Sequence, residues 1–423
     1  MKIKTTKMNY EDVLKLQPAQ HMQPRKPWYI FRLLLKLLSA SELKKVHFQC
    51  RKIGMERLGP TEPCLILMNH SSFIDLKIAS TVLYPRPFNI ICTLDGFVGK
   101  EWLMRAIGCI PTKKFLLDTN LVRDMVYTVK ELKSSILMYP EASYSFDGTA
   151  TPLPESIGKC LKMLKVPVIM IRTYGAFARD PLYNSLQLRK VDVSADMEYL
   201  LSPEEISEKT PQELNEILAE KFSFDHFRWQ QENKVQIAET FRADDLNRVL
   251  YKCPHCKTEG QMRGKGIEII CKHCKKEYEL TEGGYIKASE GETEFDHIPN
   301  WYRWERESVR QELMDGTYLL DVPVEICVLV DTKCIYKIGS GRLVHSKEGF
   351  QLTGCDGKLC YEQGPGASYS LYSDFCWYEI GDMICIGDGK MQYYCFPQNC
   401  GDVVAKARLA TEELYKMTRR RRR

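Results

Sequence analysis

Between Pro63 and Tyr174 the chain alternates short apolar runs of β type with longer stretches of helical character. CLILM (64–68), FNIIC (88–92), SSILMYP (134–140) and VPVIMIRTY (166–174) read as strands; FIDLKIASTVL, NLVRDMVYTVKELK and ESIGKCLKMLK read as helices. This alternation predicts an α/β domain over 59–200, with helices flanking a mainly parallel sheet. Two helix starts follow, Ser202-Pro203-Glu204-Glu205 and Thr210-Pro211-Gln212-Glu213, each with a cap, a first-turn proline and a capping-box glutamate. Residues 201–248 are therefore expected as a helical appendage. Over 249–290 the pattern changes to paired cysteines. In the last stretch, 291–423, a helix at 299–314 puts Trp301 and Trp304 on one side. Strand-rich sequence follows, with turn signals at Gly339-Ser340-Gly341, Asp356-Gly357 and Asp388-Gly389, and DVVAKARLATEELYKM closes it as a helix. This predicts a C-terminal β-rich module ending in a helix, either a small β-barrel or a pleckstrin-homology-like unit.

Charge changes the picture at the two ends. The net charge of +5 is mild, yet the first sixty residues hold thirteen Lys/Arg against four Asp/Glu. Within the basic amphipathic segment 1–58, PWYIFRLLLKLL is about half the ~20 residues that span a bilayer, and Arg32 and Lys36 interrupt it. As a helix it sets Arg32, Lys36 and Lys44 on one face and Trp28, Phe31, Leu34, Leu35 and Leu38 elsewhere. Such a helix can lie among lipid headgroups, or it can pack on its own domain. The terminal run Arg419 to Arg423 is expected as a solvated, disordered tail that adds attraction to anionic lipid, about 1 kcal/mol per residue near the surface. Seventeen cysteines in so long a chain, mostly scattered singly through apolar stretches, point to a reducing cytosol rather than a disulfide scaffold.

The chemistry is concentrated in ILMNHSSFIDLK, residues 66–77. A strand leaves its apolar run at Asn69, His70, Ser71 and Ser72; either serine can cap the helix that follows, and Asp75 falls in its first turn. A carboxylate there can hold one imidazole nitrogen and leave the other as a general base for a hydroxyl attacking an ester or thioester. The same residues also suit the polar edge of a buried strand and a helix start whose dipole favours an acid.

Four blocks in order extend this reading. NHSSFID resembles the Asn-His-x4-Asp motif of the PlsC-like glycerolipid acyltransferase family, which includes the 1-acylglycerol-3-phosphate acyltransferases. GCIPTKKF lies where that family has a glycine, a strand and a basic residue, YPEASYSFDG resembles its Phe-Pro-Glu-Gly-Thr-Arg-Ser block, and LKVPVIMIRTYG resembles its Val-Pro-Val strand. The resemblance implies that His70 is the general base and Asp75 its orienter. It also implies that Asn69, Lys113, Lys114, Glu141 and Ser143 bind substrate, with the lysines facing a phosphate and Glu141 the acceptor glycerol. Gly175 is expected to serve the backbone. The chain departs from the family at Ala142, Ser143 and Tyr144, which stand for glycine, threonine and arginine; losing that guanidinium removes a bidentate anion clamp. Lys113, Lys114 or Arg172 then takes over, or the acceptor is not a simple lysophosphatidate.

CPHC (253–256) and CKHC (271–274) form two Cys-x2-Cys knuckles separated by fourteen residues. Four thiolates so spaced can converge on a tetrahedral ion, which predicts a structural zinc ribbon held by Cys253, Cys256, Cys271 and Cys274. His255 and His273 are expected to point outward, and a second pair at this distance is superfluous for dithiol exchange.

The expected protein is an acyltransferase that moves a fatty acyl group from acyl-CoA or acyl carrier protein to a lysophospholipid such as 1-acyl-sn-glycerol 3-phosphate. It is expected in the cytoplasm, peripheral on an anionic membrane surface at its inner face, with nucleic acid not expected as a partner. Two other readings stay open: a catalytically silent membrane or nucleic-acid adaptor built on the ribbon and β module, and an acyltransferase with another lysolipid acceptor.

Overall fold

A computed structural model of the protein describes residues 2–115 and 118–422. The chain forms two compact units, one of residues 20–181 and 187–229, the other of the residues up to 19, 182–186 and 230 onward. Strand β1 (Thr5–Lys7) and helix α1 (Tyr10–Val13) belong to the latter. The α/β unit begins with α2 (Tyr29–Lys45), β2 (Gln49–Ile53), β3 (Leu65–Met68), α3 (Asp75–Val82), β4 (Phe88–Thr93), α4 (Glu101–Ala106) and β5 (Cys109–Thr112). It continues with α5 (Thr119–Lys130), β6 (Ser135–Met138), α6 (Ile157–Leu164), β7 (Val168–Tyr174), α7 (Ala176–Arg179), β8 (Ser194–Leu201), α8 (Pro203–Glu208) and α9 (Pro211–Lys221). Helix α10 spans His226–Glu232.

The seven-stranded sheet runs β2-β8-β7-β3-β6-β4-β5. Five neighbours are parallel; β8 turns antiparallel to β7, and β2 pairs parallel with β8. The apolar runs arise because the central strands are buried on both faces. Ile66, Met68, Leu137, Ile169 and Ile171 share one core with Leu43 of α2 and Ile78 of α3. Leu65, Leu67, Ile136, Val168 and Met170 share the other with Met125 of α5, Leu161 of α6 and Leu214 and Leu218 of α9. Each such side chain contributes roughly 1.5–3 kcal/mol of burial.

The stretch expected as a helical appendage is divided. Both capping boxes form, at Ser202 and Thr210, but Ile206, Leu214, Leu218 and Phe222 complete the second core. Their helices cover the sheet rather than hang beside it, because α9 carries an apolar stripe at 214, 218 and 222. Gly158 allows this: a Cβ there would lie 2.2 Å from the Pro211 carbonyl oxygen, so α6 and α9 approach as only a glycine permits. The stretch 1–58 is divided as well, since β2 forms the sheet edge while β1 pairs with a strand of the other unit.

The second unit holds a four-stranded antiparallel sheet of β9 (Met262–Lys265), β10 (Glu268–Cys271), β11 (Glu277–Leu280) and β12 (Ile286–Ala288), then helix α11 (Ile298–Asp315). Its β-rich module comprises β13 (Leu319–Leu329), β14 (Ile335–Ser346), β15 (Gly349–Gly354), β16 (Leu359–Gln363), β17 (Tyr372–Trp377), β18 (Gly381–Gly387) and β19 (Gln392–Pro397), with the order β16-β15-β14-β13-β19-β18-β17 and β1 parallel to β14. Two of the three turn signals lie in turns. Gly339-Ser340-Gly341 does not: it lies inside β14, where a Cβ on Gly341 would stand 2.3 Å from the Thr353 carbonyl oxygen, so the glycine serves strand packing. Helix α12 (Val404–Arg422) closes the module. The arginine run expected as a disordered tail continues this helix to Arg422; Arg423 lies outside the described residues.

Candidate active site

His70 sits in the loop that leaves β3, and Asp75 opens α3. The imidazole Nδ1 lies 3.1 Å from Asp75 Oδ2, and the same oxygen accepts the backbone N–H groups of Ser71 at 2.8 Å and Ser72 at 3.0 Å. Asp75 is almost fully buried, whereas the His70 side chain keeps 19% of its surface exposed. A carboxylate oxygen that accepts two backbone N–H groups is fixed in place, so Nδ1–H donates to it and Nε2 is left as the basic nitrogen. Neither serine caps α3 as expected. Its N-cap is Ile74; the Ser71 hydroxyl is used by Asn69 and His226, and Ser72 Oγ accepts from Ile74 N at 3.2 Å while donating to Asp180.

The loop after β6 closes on the loop after β3. Glu141 is buried, and its Oε2 accepts the His70 backbone N–H at 3.1 Å while Oε1 accepts Thr151 N at 2.9 Å. Ser145 N donates to the His70 carbonyl at 3.4 Å. Asn69 Oδ1 accepts Thr173 N at 2.8 Å, tying the histidine loop to β7. Glu141 and Asn69 thus hold the backbone of the His70 loop through their own hydrogen bonds. Ser143 is buried in the same loop. Lys113 and Lys114 follow the end of β5. Arg172 is committed elsewhere, its guanidinium bonded to the Lys221 carbonyl. Gly175 adopts φ +77°, and a Cβ there would meet the Asp192 carbonyl oxygen at 2.2 Å, so it serves the backbone as expected.

Two tyrosines sandwich the imidazole of His70. Tyr139 stacks on one face of His70 at 4.2 Å between centroids and Tyr144 on the other at 3.9 Å, both within 30° of parallel. Burial pushes the His70 pKa below the ordinary histidine value; the Asp75 carboxylate opposes that shift, and the Lys114 charge adds to it. The imidazole is therefore neutral near pH 7, the form that can accept a proton.

The pattern of the sequence did not reveal two further groups behind the loop. Ser72 Oγ donates to Asp180 at 2.6 Å; Asp180 pairs with Arg179 at 3.0 Å, and Arg179 with Glu42 at 2.5 Å. Burial raises the Asp180 carboxyl to about 6. His226 Nε2 lies 3.0 Å from Ser71 Oγ, its ring stacked on Phe177. Asn69 Nδ2 donates to the same Ser71 Oγ at 2.8 Å, so the serine hydroxyl links Asn69 to His226. Burial lowers His226 to about 4, so it stays neutral. Neither residue carried a spacing signal, because both reach the loop from elements more than a hundred residues away.

Residues 49–173 match the family model Acyltransferase. That segment is an acyltransferase domain. It contains His70, Asp75, Lys113, Lys114 and Glu141. Among solved structures the chain is similar to the crystal structure of the 1-acyl-sn-glycerophosphate (LPA) acyltransferase, PlsC, from Thermotoga maritima, with 14% identity, a TM-score of 0.35, and coverage of 45% of this chain and 76% of that one. No curated protein matches the chain.

Outside the acyltransferase domain, Cys253, Cys256, Cys271 and Cys274 bring their sulfurs within 4.8 Å of one another, an arrangement that could hold a metal ion. The Cys253–Cys274 and Cys256–Cys271 sulfurs are each 3.7 Å apart. Four thiolates at about 2.3 Å from a tetrahedral ion stand ~3.8 Å from one another, so the donor set fits zinc. Each knuckle ends on a lysine in the left-handed region, Lys257 at φ +66° and Lys275 at φ +65°, which turns the chain back after the second cysteine. His255 bonds to Glu294, whereas His273 does not simply point outward: its Nδ1 meets Thr258 Oγ1 at 3.4 Å, and that hydroxyl bonds the Cys256 sulfur at 3.4 Å.

Proposed function

We propose that the acyltransferase domain moves a fatty acyl group from acyl-CoA or acyl carrier protein to a glycerolipid hydroxyl, with 1-acyl-sn-glycerol 3-phosphate the first acceptor to assay. The observation that carries this is the His70–Asp75 pair, held at 3.1 Å with the carboxylate anchored by two backbone N–H groups. His70 Nε2 takes the proton of the acceptor hydroxyl as its oxygen attacks the thioester carbonyl; the C–O bond forms, the C–S bond breaks, and the proton passes to the departing thiolate. Asp75 stabilises the imidazolium in between. Lys113 and Lys114 supply charge to a lipid phosphate, and Glu141, Asn69 and Ser143 shape the loop that receives the glycerol.

The site reaches its lipid from the membrane surface. Among the described residues no helix is long and apolar enough to cross a bilayer. Helix α2 buries Leu43, while Ile30, Leu37 and Leu38 stay 60%, 61% and 65% exposed. Trp102, also exposed, packs edge-on against Trp28 at 6.0 Å. An apolar, aromatic strip on a locally basic segment suits the headgroup layer of an anionic membrane. The cytoplasmic face of that membrane is the location proposed, and a structural zinc is the ion proposed for the four-cysteine cluster.

The test is transfer of labelled acyl groups from acyl-CoA and from acyl carrier protein to a panel of lysolipids. Product with at least one acceptor is expected; none with any acceptor leaves an adaptor. Zinc is checked by metal analysis of the wild type and Cys253→Ser, where undiminished metal in the variant counts against the ribbon.

A further inference from the structure

Tyr144 stands where the Phe-Pro-Glu-Gly-Thr-Arg-Ser pattern has its arginine, and its ring covers the catalytic imidazole at 3.9 Å. We propose that Tyr144 sets acceptor choice: the site takes a lysophospholipid whose phosphate is esterified and discriminates against a free phosphate monoester. This rests on the acyl-transfer reading and deepens it.

A phosphate monoester carries about −1.5 to −2 charges near pH 7 and three strong acceptor oxygens, and the group that matches it is a guanidinium fork. None is supplied from the strand and turn behind the loop: Arg172 is bonded to the Lys221 carbonyl, and buried Arg179 is spent on Asp180 and Glu42. The cations assigned to the phosphate, Lys113 and Lys114 after the end of β5, are flexible point charges without the planar two-point fork of a guanidinium. Phe73, 58% exposed, lies 5.6 Å from the Tyr144 ring. Aromatic faces carry negative potential; they repel a dianion and welcome the apolar or cationic part of an esterified headgroup. The ring that stacks on the imidazole stands at the position of the pattern's arginine, so the stack and the missing clamp belong to one residue. With Tyr139 on the opposite face, the acceptor hydroxyl must approach in the plane of the ring, at Nε2.

The experiment compares kcat/KM of the full-length protein for 1-acyl-sn-glycero-3-phosphocholine and 1-acyl-sn-glycerol 3-phosphate of the same chain length, in mixed micelles with one acyl-CoA. The phosphodiester is expected to be favoured at least tenfold. Tyr144→Phe, which keeps the ring, is expected to hold that ratio and the pH profile; Tyr144→Arg is expected to move the ratio at least tenfold toward the monoester. Equal or better use of the monoester by the wild type, or an unchanged ratio in a folded Tyr144→Arg, overturns the inference. If that variant does not fold, the wild-type ratio decides alone. Transfer to the monoester only, or to neither lipid, overturns the inference, while the acyl-transfer reading falls only if the full panel of donors and acceptors gives no product.

Discussion

At the scale of the residue, burial keeps the His70 imidazole neutral and Asp75 keeps it oriented, as the proposed general base requires. His70 is shifted below the ordinary value near 6.5, and its active form is the unprotonated one. The acid limb of kcat/KM against pH is therefore expected below pH 6.5, with the rate falling as pH drops through the lowered pKa. A limb at or above 6.5 would mean that burial does not govern this histidine. A second consequence concerns Ala142, which takes φ +55° where the family pattern has glycine. A Cβ in this region costs roughly 1–2 kcal/mol, so Ala142→Gly is expected to raise the unfolding midpoint; a lowered one would show that the loop is not strained there. The pairing of His70 with Asp75 was legible because the two lie only five positions apart in the sequence. The aromatic sandwich, Asp180 and His226 were not, because their contacts depend on where β6, β7, α7 and α10 converge. The same convergence gives Glu141 its bond to the His70 backbone, a partner that a turn glutamate does not disclose in sequence.

At the scale of the element, close approach of α6 to α9 is what turns two capped helices into part of the α/β core. Gly158→Ala puts a Cβ 2.2 Å from the Pro211 carbonyl oxygen, an overlap that only backbone movement can relieve. A loss of about 1–3 kcal/mol is expected in denaturant unfolding; a change within ~0.5 kcal/mol would show that the helices separate freely. Strands and caps were legible from apolar runs and from Ser/Thr-Pro-x-Glu signatures, since those depend on neighbours in sequence. The destination of α8 and α9 was not, and Gly339-Ser340-Gly341 misled because glycines that admit a neighbouring strand look like glycines that turn a chain.

At the scale of the whole molecule, one unit carries an acyltransferase domain and the other carries a four-cysteine cluster and a β-rich module. The motif blocks made the first legible, and the tight cysteine spacing made the cluster legible. The half-buried state of α2 was not, because both a docking helix and a packed helix share its pattern; Leu43 lies in the core and Leu37 and Leu38 outside it. Leu37→Glu combined with Leu38→Glu is expected to reduce sedimentation with anionic vesicles at least tenfold while leaving the unfolding midpoint unchanged, since neither side chain is buried. Vesicle binding equal to that of the wild type would detach α2 from the membrane.

The most direct measurement is single-turnover acyl transfer by wild type and His70→Ala on the best lysolipid acceptor, with both proteins checked for equal thermal unfolding. A fall of about two to four orders of magnitude in the transfer rate is expected from loss of the general base. A folded variant that transfers acyl groups within threefold of the wild type would contradict the assignment of His70.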